Sequence, residues 1–247
     1  MKAIINAGGK GTRGWPLTTY IPKSMLPVHG KPLIEHIVNY MNKFKEITEI
    51  IFIIDDSELG EQVSNFFDGK ETKYRVKLTF RKDKQEDTGG AILQCQKDLK
   101  SEKDFLLWFS DNLCNLNISE MIKKFRDTDC VGCVATRRKK PEETGFAKIE
   151  SNDLIVSFVE KPISELPLPE ALGIYAFKTT ILKDLKKVRK TKLRINLSSD
   201  IIQNLPKYSM LSYDIGDRLW LDLESQNKIT RNDEPIKKIL KSTYSRK

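Results

Sequence analysis

Cysteine, histidine and long apolar segments are scarce in this sequence. The chain of 247 residues has four cysteines and two histidines, and it contains no run of eighteen consecutive apolar residues. Small secreted scaffolds depend on many cysteines, and a membrane span needs about twenty apolar residues, so both classes are disfavoured. No secretory leader is recognised from Met1 onward. We therefore expect a cytoplasmic protein with no membrane association.

The cysteines do not follow the pattern of a zinc site. Cys130 and Cys133 form one CxxC pair, but a structural zinc site needs a second pair, or histidines at a matching spacing. Cys95 and Cys114 stand alone, and the histidines lie far along the chain from the pair. The apolar composition of residues 130–136 instead predicts a buried strand.

Positive charge exceeds negative charge, but the excess is confined to two short segments. The formal net charge is +9, and residues 183–194 and 231–247 account for all of the excess. A nucleic-acid-binding surface normally combines a basic patch with a recognition motif, and the sequence has no such motif. We therefore predict solvated basic faces and no nucleic-acid partner.

Apolar runs alternate with segments of helical spacing in the first half of the chain. Residues spaced three or four apart, such as Leu33, Ile37 and Met41, indicate helices between the runs. The predicted strands cover residues 2–6, 49–54, 74–80 and 105–109, and the predicted helices cover residues 33–41, 59–67 and 90–99. This alternation predicts βαβ units, and hence a doubly wound α/β fold with a mostly parallel sheet.

Strand signals lie closer together in the second half. Strands are predicted at 130–136, 146–150, 154–159, 172–177, 210–213 and 219–223, and helices at 180–188, 199–205 and 235–243. Two of the strands flank Asn152 and Asp153 and should pair as a hairpin. We expect all of them to be insertions on the same sheet, which is then mixed. Residues 1–247 should form a single domain, because no linker or repeat divides them.

A glycine-rich loop follows the first strand. It contains a GxGxxG pattern at Gly9, Gly11 and Gly14. A dinucleotide site also needs an acidic residue at the end of the next strand, about twenty residues on, whereas here that strand ends near Asp55. The Walker ending GK[ST] is absent as well. The loop is better interpreted as a cradle of backbone N–H groups for phosphates.

Two cations accompany this loop. Arg13 lies inside it and supplies a fixed positive charge. Lys23 follows in a short segment between Pro22 and Pro27, whose rings restrict the backbone. A restrained lysine is suited to face negative charge that develops during a reaction.

Two aspartates lie at the ends of apolar runs. Asp111 follows the run 105–109, which places it at the carboxyl edge of the sheet, where α/β proteins bind ligands. Asp222 lies near the end of the run 219–223. Because Mg²⁺ is usually held by one or two carboxylates together with phosphate oxygens and water, this pair is a candidate magnesium site.

Several motifs together resemble the signature of one enzyme family. They are Ala7-Gly-Gly-Lys-Gly-Thr-Arg13, Pro22-Lys-Ser-Met-Leu-Pro-Val28, Lys31-Pro-Leu-Ile-Glu-His36, Thr88-Gly-Gly-Ala-Ile92, Glu160-Lys-Pro162 and Trp220-Leu-Asp222. In order and spacing they resemble the sugar-1-phosphate nucleotidyltransferases, over nearly the whole chain. The resemblance implies a Rossmann-like fold with a nucleotide-binding half (1–126), a sugar-binding half (127–230) and a terminal helix with a basic tail (231–247).

The resemblance also implies a reaction and the residues that perform it. A sugar 1-phosphate attacks the α-phosphorus of a nucleoside triphosphate (NTP), pyrophosphate leaves, and Mg²⁺ is the cofactor. Arg13 and Lys23 correspond to the catalytic cations, and Asp111 and Asp222 correspond to the metal ligands. The implied nucleotide-binding positions are Ala7, Gly8, Gly9, Gly11, Thr12, Gln85, Thr88, Gly89 and Gly90, and the implied sugar-phosphate positions are Gly145, Glu160, Lys161 and Gly173.

The sequence departs from the family pattern at a few positions, including Ser110 and Ala171. Glu224, two residues after Asp222, replaces the glycine that is usual in the family, and its carboxylate either strengthens metal binding or faces solvent.

Base and sugar selection remain open between alternatives. The Gln85 amide can pair with a pyrimidine, whereas the Glu86 carboxylate can accept N–H groups of guanine. We favour UTP or dTTP with glucose 1-phosphate, because guanine would require a desolvated charge. GTP with mannose 1-phosphate or heptose 1-phosphate is the alternative, and a non-catalytic nucleotide-sugar sensor is the rival of another class. A monomer or small homo-oligomer is expected.

Overall fold

The structure is a computed structural model that describes residues 1–9 and 11–245. Its strands are β1 (Lys2–Asn6), β2 (Pro27–Val28), β3 (Lys31–Pro32), β4 (Glu49–Asp55), β5 (Lys77–Asp83), β6 (Asp104–Phe109), β7 (Asn112–Cys114), β8 (Gly132–Pro141), β9 (Phe146–Ile149), β10 (Ile155–Val159), β11 (Ile163–Lys178), β12 (Met210–Asp214) and β13 (Trp220–Asp222). Its α-helices are α1 (Leu33–Met41), α2 (Glu58–Phe67), α3 (Asp87–Gln94), α4 (Ile118–Arg126), α5 (Ile181–Arg189), α6 (Gln226–Arg231) and α7 (Asp233–Tyr244).

A seven-stranded sheet with the order β12-β8-β11-β6-β1-β4-β5 organises the molecule. The pairs β6-β1, β1-β4, β4-β5 and β12-β8 are parallel, whereas β11 runs antiparallel to both β6 and β8. Parallel strands joined through helices need both faces covered, which explains the continuous apolar runs in β1, β4 and β6. The predicted mixed, mostly parallel α/β sheet is confirmed.

Helices cover both faces of this sheet. Neighbouring residues of a strand point to opposite faces, so Ile5 and Phe52 enter one core while Ile4 and Ile51 enter the other. The first core receives α1, α2, α4 and α7, and the second receives α3 and α5. The carboxyl ends of β1, β4, β5 and β6 consequently meet at one uncovered edge, where ligands of such sheets bind.

The expectation that every later strand joins the main sheet is wrong. The hairpin of β9 and β10 forms its own two-stranded sheet, and β13 pairs with β7 instead. The reason is that the strands before and after the hairpin, β8 and β11, already have a hydrogen-bonded neighbour on each side. The hairpin therefore has no free strand edge beside it.

Several predicted boundaries also differ from the structure. The strand predicted at 172–177 begins at Ile163, because its largely exposed first half also pairs with β8. The helix predicted at 199–205 is a π-helical turn (Leu197–Ile201) and a 3₁₀ turn, started by the Asn196 side chain, which accepts the N–H groups of Ser198 and Ser199. Helices α4 and α6 were not predicted, although Ile118, Ile122 and Phe125 in α4 have helical spacing.

Within residues 1–9 and 11–245, no helix is both long enough and apolar enough to cross a membrane. The terminal helix predicted at 235–243 is found as α7, and the last two residues of the predicted basic tail lie outside the described residues.

Candidate active site

The glycine-rich loop leaves β1 at the carboxyl edge of the sheet. Its remaining described residues turn sharply, since Gly11 has a left-handed φ of 62° and its carbonyl accepts the Thr18 hydroxyl at 2.6 Å. A Cβ at Gly11 would lie 3.1 Å from the Thr18 side chain, so glycine is favoured for both conformation and space. Thr12 and Arg13 follow in a short 3₁₀ turn that lies over the cleft.

Lys23 reaches the loop from the other side. It starts a 3₁₀ turn after Pro22, and its Nζ donates to Asp111 Oδ2 at 2.5 Å. Its chain passes the loop so closely that a Cβ at Gly9 would lie 3.4 Å from Lys23 Cε. The predicted catalytic lysine and the predicted metal ligand therefore lie side by side, joined by a charge-assisted hydrogen bond.

Three carboxylates form an acidic cluster at this edge. Asp111, Asp222 and Glu224 each offer an oxygen within 4.8 Å of the others. Pairing of β13 with β7 brings them together, because Asp222 lies opposite Asn112 and the Leu223 N–H donates to the Asp111 carbonyl at 2.8 Å. Asp111 and Asp222, which are 111 positions apart in sequence, thus face one cleft.

Cations neutralise the acidic cluster in this state. Arg13 donates to Glu224 at 2.7 Å, and Lys228 Nζ bridges Asp222 at 2.7 Å and Glu224 at 2.9 Å. Burial alone would raise the pKa of Glu224, but the hydrogen bonds from Arg13 and Lys228 outweigh it and lower that pKa. The side chain of Glu224 is only 14% exposed, so of the two sequence-based readings the solvent-facing one is wrong.

Asp222 is the least satisfied of the three carboxylates. Its Oδ1 is buried without a hydrogen-bond partner among the described residues. Burial, reinforced by the nearby charges of Asp111 and Glu224, raises the pKa of Asp222 despite the Lys228 contact. A buried oxygen without a partner, beside two further carboxylates, is the hard oxygen donor set that Mg²⁺ prefers. The residues present therefore fit a magnesium ion.

Two small cavities open along the loop and share Gly9. The first, about 200 Å³, is lined by Gly9, Gly11, Thr12, Arg13, Lys23, Asp111 and Glu224. The second, about 230 Å³, is lined by Asn6, Gly8, Gly9, Asp83, Gln85, Asp87, Thr88 and Arg194. We call them the phosphate cavity and the base pocket. Their adjacency matches the layout of a nucleotide, with charged phosphates at one end and a neutral base at the other.

The base pocket contains Gln85 but not Glu86. The Gln85 amide nitrogen donates to Asp55 Oδ2 at 2.5 Å. Glu86 turns the other way, where its carboxylate is 2.5 Å from Arg189 and its residue is 8% exposed. Because that carboxylate is already paired, Glu86 is not placed to read a base.

Sequence reasoning missed Asp83 and Arg194, which also line the base pocket. The Asp83 carboxylate packs against Gly8 so tightly that a Cβ at Gly8 would lie 2.4 Å from its Oδ2. Burial raises the pKa of Asp83 although the Gln85 backbone N–H donates to it. The only available signal was the position of Asp83 at the end of β5, while Arg194 was hidden within a run of basic residues.

The predicted glycines of α3 have a structural role beside this pocket. Thr88 lines it, whereas Gly89 and Gly90 are buried and direct their N–H groups to the Ile195 carbonyl at 2.7 and 3.3 Å. A Cβ at Gly89 would lie 2.8 Å from Ile195. These glycines allow the segment after α5 to pack against the start of α3. Ala7 is likewise buried, and its N–H donates to Ile53.

The predicted sugar-phosphate residues lie apart from the two cavities. Lys161 follows β10 with a left-handed φ of 49°, its side chain is 65% exposed, and its Nζ is 4.0 Å from Glu160. Gly145 packs on Phe158, and Gly173 lies next to Asn112, close to the acidic cluster. The linings of the phosphate cavity and the base pocket, within the described residues, include none of these four positions.

Comparison with known families agrees with this geometry. The family described as Nucleotidyl transferase matches residues 2–235, which is nearly the whole chain. The match spans the glycine-rich loop, the base pocket and all three residues of the acidic cluster.

Individual relatives carry several substrate names. The chain is 25% identical to the low-salt glycan biosynthesis nucleotidyltransferase Agl11 of Haloferax volcanii, over 96% of this chain and 68% of that protein. It is 27% identical to a UTP–glucose-1-phosphate uridylyltransferase of Synechocystis, over 90% of this chain but only 60% of that protein. It is 30% identical to a D-glycero-alpha-D-manno-heptose 1-phosphate guanylyltransferase of Campylobacter jejuni, over 74% of this chain and 79% of that protein.

Solved structures share the fold. A putative glucose-1-phosphate thymidylyltransferase from Bacillus anthracis superimposes with a TM-score of 0.73 over 94% of both chains, at 24% sequence identity. HddC from Yersinia pseudotuberculosis superimposes with a TM-score of 0.69 at 19% identity. The sequence match over residues 2–235, the shared fold and the clustered phosphate-loop and acidic residues lead to one conclusion: the chain belongs to the nucleotidyl transferase family.

Proposed function

We propose that this protein transfers a nucleotidyl group from an NTP to a hexose 1-phosphate. A phosphate oxygen of the sugar 1-phosphate attacks the α-phosphorus, the bond from that phosphorus to the bridging oxygen breaks, and pyrophosphate leaves. The observation that carries the proposal is the acidic cluster of Asp111, Asp222 and Glu224 beside a glycine-rich phosphate loop and Lys23. Transfers of this kind need positioning and charge stabilisation rather than covalent catalysis.

Each charged residue then has a distinct task. The phosphate cavity receives the triphosphate, with Arg13 and Lys23 placed on its wall to oppose charge that moves toward pyrophosphate. Asp111, Asp222 and Glu224 would hold Mg²⁺, which neutralises phosphate oxygens and orients them when bound. Lys228 and Lys23 each hold one carboxylate oxygen, Oδ2 of Asp222 and Oδ2 of Asp111, and keep the acidic cluster compact, while Asp222 Oδ1, without a partner among the described residues, would be available to the ion.

The sugar 1-phosphate is assigned to the side of the cleft near Gly173 and the hairpin. Lys161 supplies a cation for its phosphate, and Glu160 can accept hydrogen bonds from sugar hydroxyls. Since both side chains are exposed, their approach to the acidic cluster accompanies substrate binding. We expect hexose 1-phosphates without an N-acetyl group to react best.

For the base, we favour UTP or dTTP. Gln85 lines the pocket and can present its amide oxygen to the N3–H of a pyrimidine, while Glu86 is paired with Arg189 outside the pocket. GTP with mannose 1-phosphate or heptose 1-phosphate is the second candidate, and Asp83 is the observation that favours it. A buried carboxylate in the pocket can accept the N1–H and N2–H groups of guanine together.

The experiment is a matrix of UTP, dTTP, GTP, CTP and ATP against the 1-phosphates of glucose, mannose, galactose and N-acetylglucosamine, with Mg²⁺, scored by pyrophosphate release. Each NTP without a sugar phosphate is the control for hydrolysis. Release that requires both substrates supports the proposal. Tight nucleotide-sugar binding without any release would instead identify a sensor. A cytoplasmic monomer or small homo-oligomer is the proposed form of the enzyme.

A further inference from the structure

A third concavity lies on the other side of residues 83–87 from the base pocket. It measures about 620 Å³ and lies between the edge strand β5, helix α3 and helix α5. Six basic side chains line it against two acidic ones, the basic set being Arg81, Lys82, Lys84, Lys97, Lys186 and Arg189, and the acidic set Glu86 and Asp98. We call it the basic cavity. Its volume is typical of small-molecule sites, which range over about 300–1,000 Å³.

Two arginines in the basic cavity are held in fixed orientations. Arg81 donates from Nε and Nη2 to Asp98 at 3.1 and 2.5 Å, and Arg189 lies 2.5 Å from Glu86. Each guanidinium has five N–H groups, so donors remain available after these contacts. A guanidinium held in place matches the oxygens of a phosphate at low entropic cost.

Three lysines add charge that the protein does not neutralise. Lys84, Lys97 and Lys186 have no ion-pair partner among residues 1–9 and 11–245. They come from three separate elements, namely the loop after β5, the 3₁₀ turn after α3, and α5. All three are exposed and line the same concavity, and like charges gathered at one concave surface create a local field that attracts a multivalent anion.

We propose that the basic cavity binds a small anion with two or more linked phosphates, and that its occupation weakens nucleotide binding in the base pocket. Inorganic polyphosphate and the diphosphate of a nucleotide sugar share the chemistry that these residues recognise. The binding step does not depend on the activity proposed above, whereas its regulatory meaning rests on that activity.

One short loop separates the two sites and links them. Asp83, Gln85 and Asp87 line the base pocket, while Lys84 and Glu86 line the basic cavity. This alternation is maintained by left-handed conformations at two non-glycine residues, Gln85 with φ 58° and Asp87 with φ 65°. Such conformations cost free energy and persist only when neighbouring contacts hold them.

The ion pair of Glu86 with Arg189 is the interaction that a bound anion would disturb. The Glu86 carboxylate is almost fully buried and depends on Arg189, with Gln94 donating at 3.3 Å. A phosphate that shares the Arg189 guanidinium with Glu86 weakens the main contact of that buried charge, which is costly. The loop relaxes as Glu86 moves, and the base pocket on its other side loses its shape.

Binding is tested by calorimetry with inorganic tripolyphosphate in EDTA, and separately with a nucleoside diphosphate-glucose. All proteins carry Arg13→Gln, which removes a guanidinium from the wall of the phosphate cavity and so weakens anion binding there. The triple variant Lys84→Gln/Lys97→Gln/Lys186→Gln should bind at least about tenfold more weakly than its parent, since three charge contacts are lost. The matched control, Lys123→Gln/Lys183→Gln/Lys190→Gln, removes equal charge from exposed positions outside the cavity and should bind as the parent does. An equal loss of affinity in both triple variants, or no binding by the parent, would overturn the proposed site.

Coupling is tested by the equilibrium affinity of a fluorescent NTP, with Arg13 restored and tripolyphosphate added. Its Kd should rise about fivefold more in the wild type than in the cavity triple variant, a coupling of ordinary size. Direct competition in the phosphate cavity affects both proteins equally and cancels in this ratio. An equal rise in both would refute the coupling. This readout needs no turnover, so it separates failure of the coupling from failure of the proposed reaction.

Discussion

The two regions assigned to the substrates differ in how firmly the protein holds them. At the nucleotide side, the partly buried Lys23 and Asp111 form a short ion pair, and the partly buried Glu224 pairs with Arg13. At the sugar side, the hairpin of β9 and β10 is exposed along both strands, and among the described residues the Lys161 side chain has one ion-pair partner, the adjacent Glu160. Under the proposed assignment, the difference means that the phosphate-binding groups are in place before substrate arrives, whereas we expect the sugar contacts to form on binding.

The contrast in stability can be measured with a matched pair of substitutions. Ile51→Ala on β4 removes a fully buried side chain and should cost about 2–5 kcal/mol of unfolding free energy. Ile155→Ala on β10 removes a side chain that is 61% exposed and should change that free energy by no more than about 0.5 kcal/mol. Urea denaturation of both variants decides the matter. Similar losses of unfolding free energy in the two variants would show that the hairpin is packed in solution, and the contrast between the two regions would then be wrong.

A substitution on the nucleotide side should lower the rate of the chemical step. Lys23→Gln removes a cation that opposes charge moving onto pyrophosphate, and we expect kcat to fall by about 10²–10³-fold. The KM for NTP should change much less, because the phosphate loop and Arg13 remain. Steady-state kinetics with varied NTP separates the two constants. A Lys23→Gln enzyme with normal kcat and a raised KM would assign Lys23 to ground-state binding.

A substitution on the sugar side should instead weaken binding of the sugar 1-phosphate. Lys161→Gln is expected to raise the KM for the sugar 1-phosphate by about tenfold, the worth of one charge-assisted contact, with the KM for NTP unchanged. Lys148→Gln, on the same hairpin, is the matched control. If Lys148→Gln has the larger effect, the phosphate contact on the hairpin has been assigned to the wrong lysine.

Base choice should show the smallest effects. Gln85→Ala should reduce the preference for UTP or dTTP over GTP by a few fold, since one hydrogen bond contributes about 1 kcal/mol. Asp83→Asn should leave that preference intact if Gln85 reads the base. Relative kcat/KM values across the NTPs measure both. Loss of GTP use in Asp83→Asn alone would assign base reading to Asp83.

Local sequence signals predicted the central sheet and the loop. The continuous apolar runs of β1, β4 and β6 fixed their burial, and Gly11 with Lys23 indicated the phosphate cavity. The sequence did not predict that Lys228 bridges Asp222 and Glu224, because that contact requires the unpredicted helix α6 and the pairing of β13 with β7. Contacts between distant segments leave no periodic signal in the chain.

The base pocket shows the same limit. Gln85 and Glu86 are adjacent and both polar, so spacing alone could not tell which faces the nucleotide. Their directions are set by Arg189 and Asp55, which lie on other elements. Arg194 was interpreted as part of a solvated basic run. It lines the base pocket because the next residue, Ile195, exchanges backbone hydrogen bonds with Glu86 and Gly89.

The most direct test of the prebuilt nucleotide side is the Mg²⁺ dependence of pyrophosphate release by the wild type and by Asp222→Asn. The account predicts that release by the wild type requires Mg²⁺ and stops with EDTA. Asp222→Asn, although folded by circular dichroism, should lose about 10³-fold in rate, because a metal ligand worth several kcal/mol of transition-state stabilisation is removed. Wild-type activity without a divalent ion, or an Asp222→Asn enzyme with unchanged rate and Mg²⁺ dependence, would contradict the assignment of the acidic cluster as the metal site.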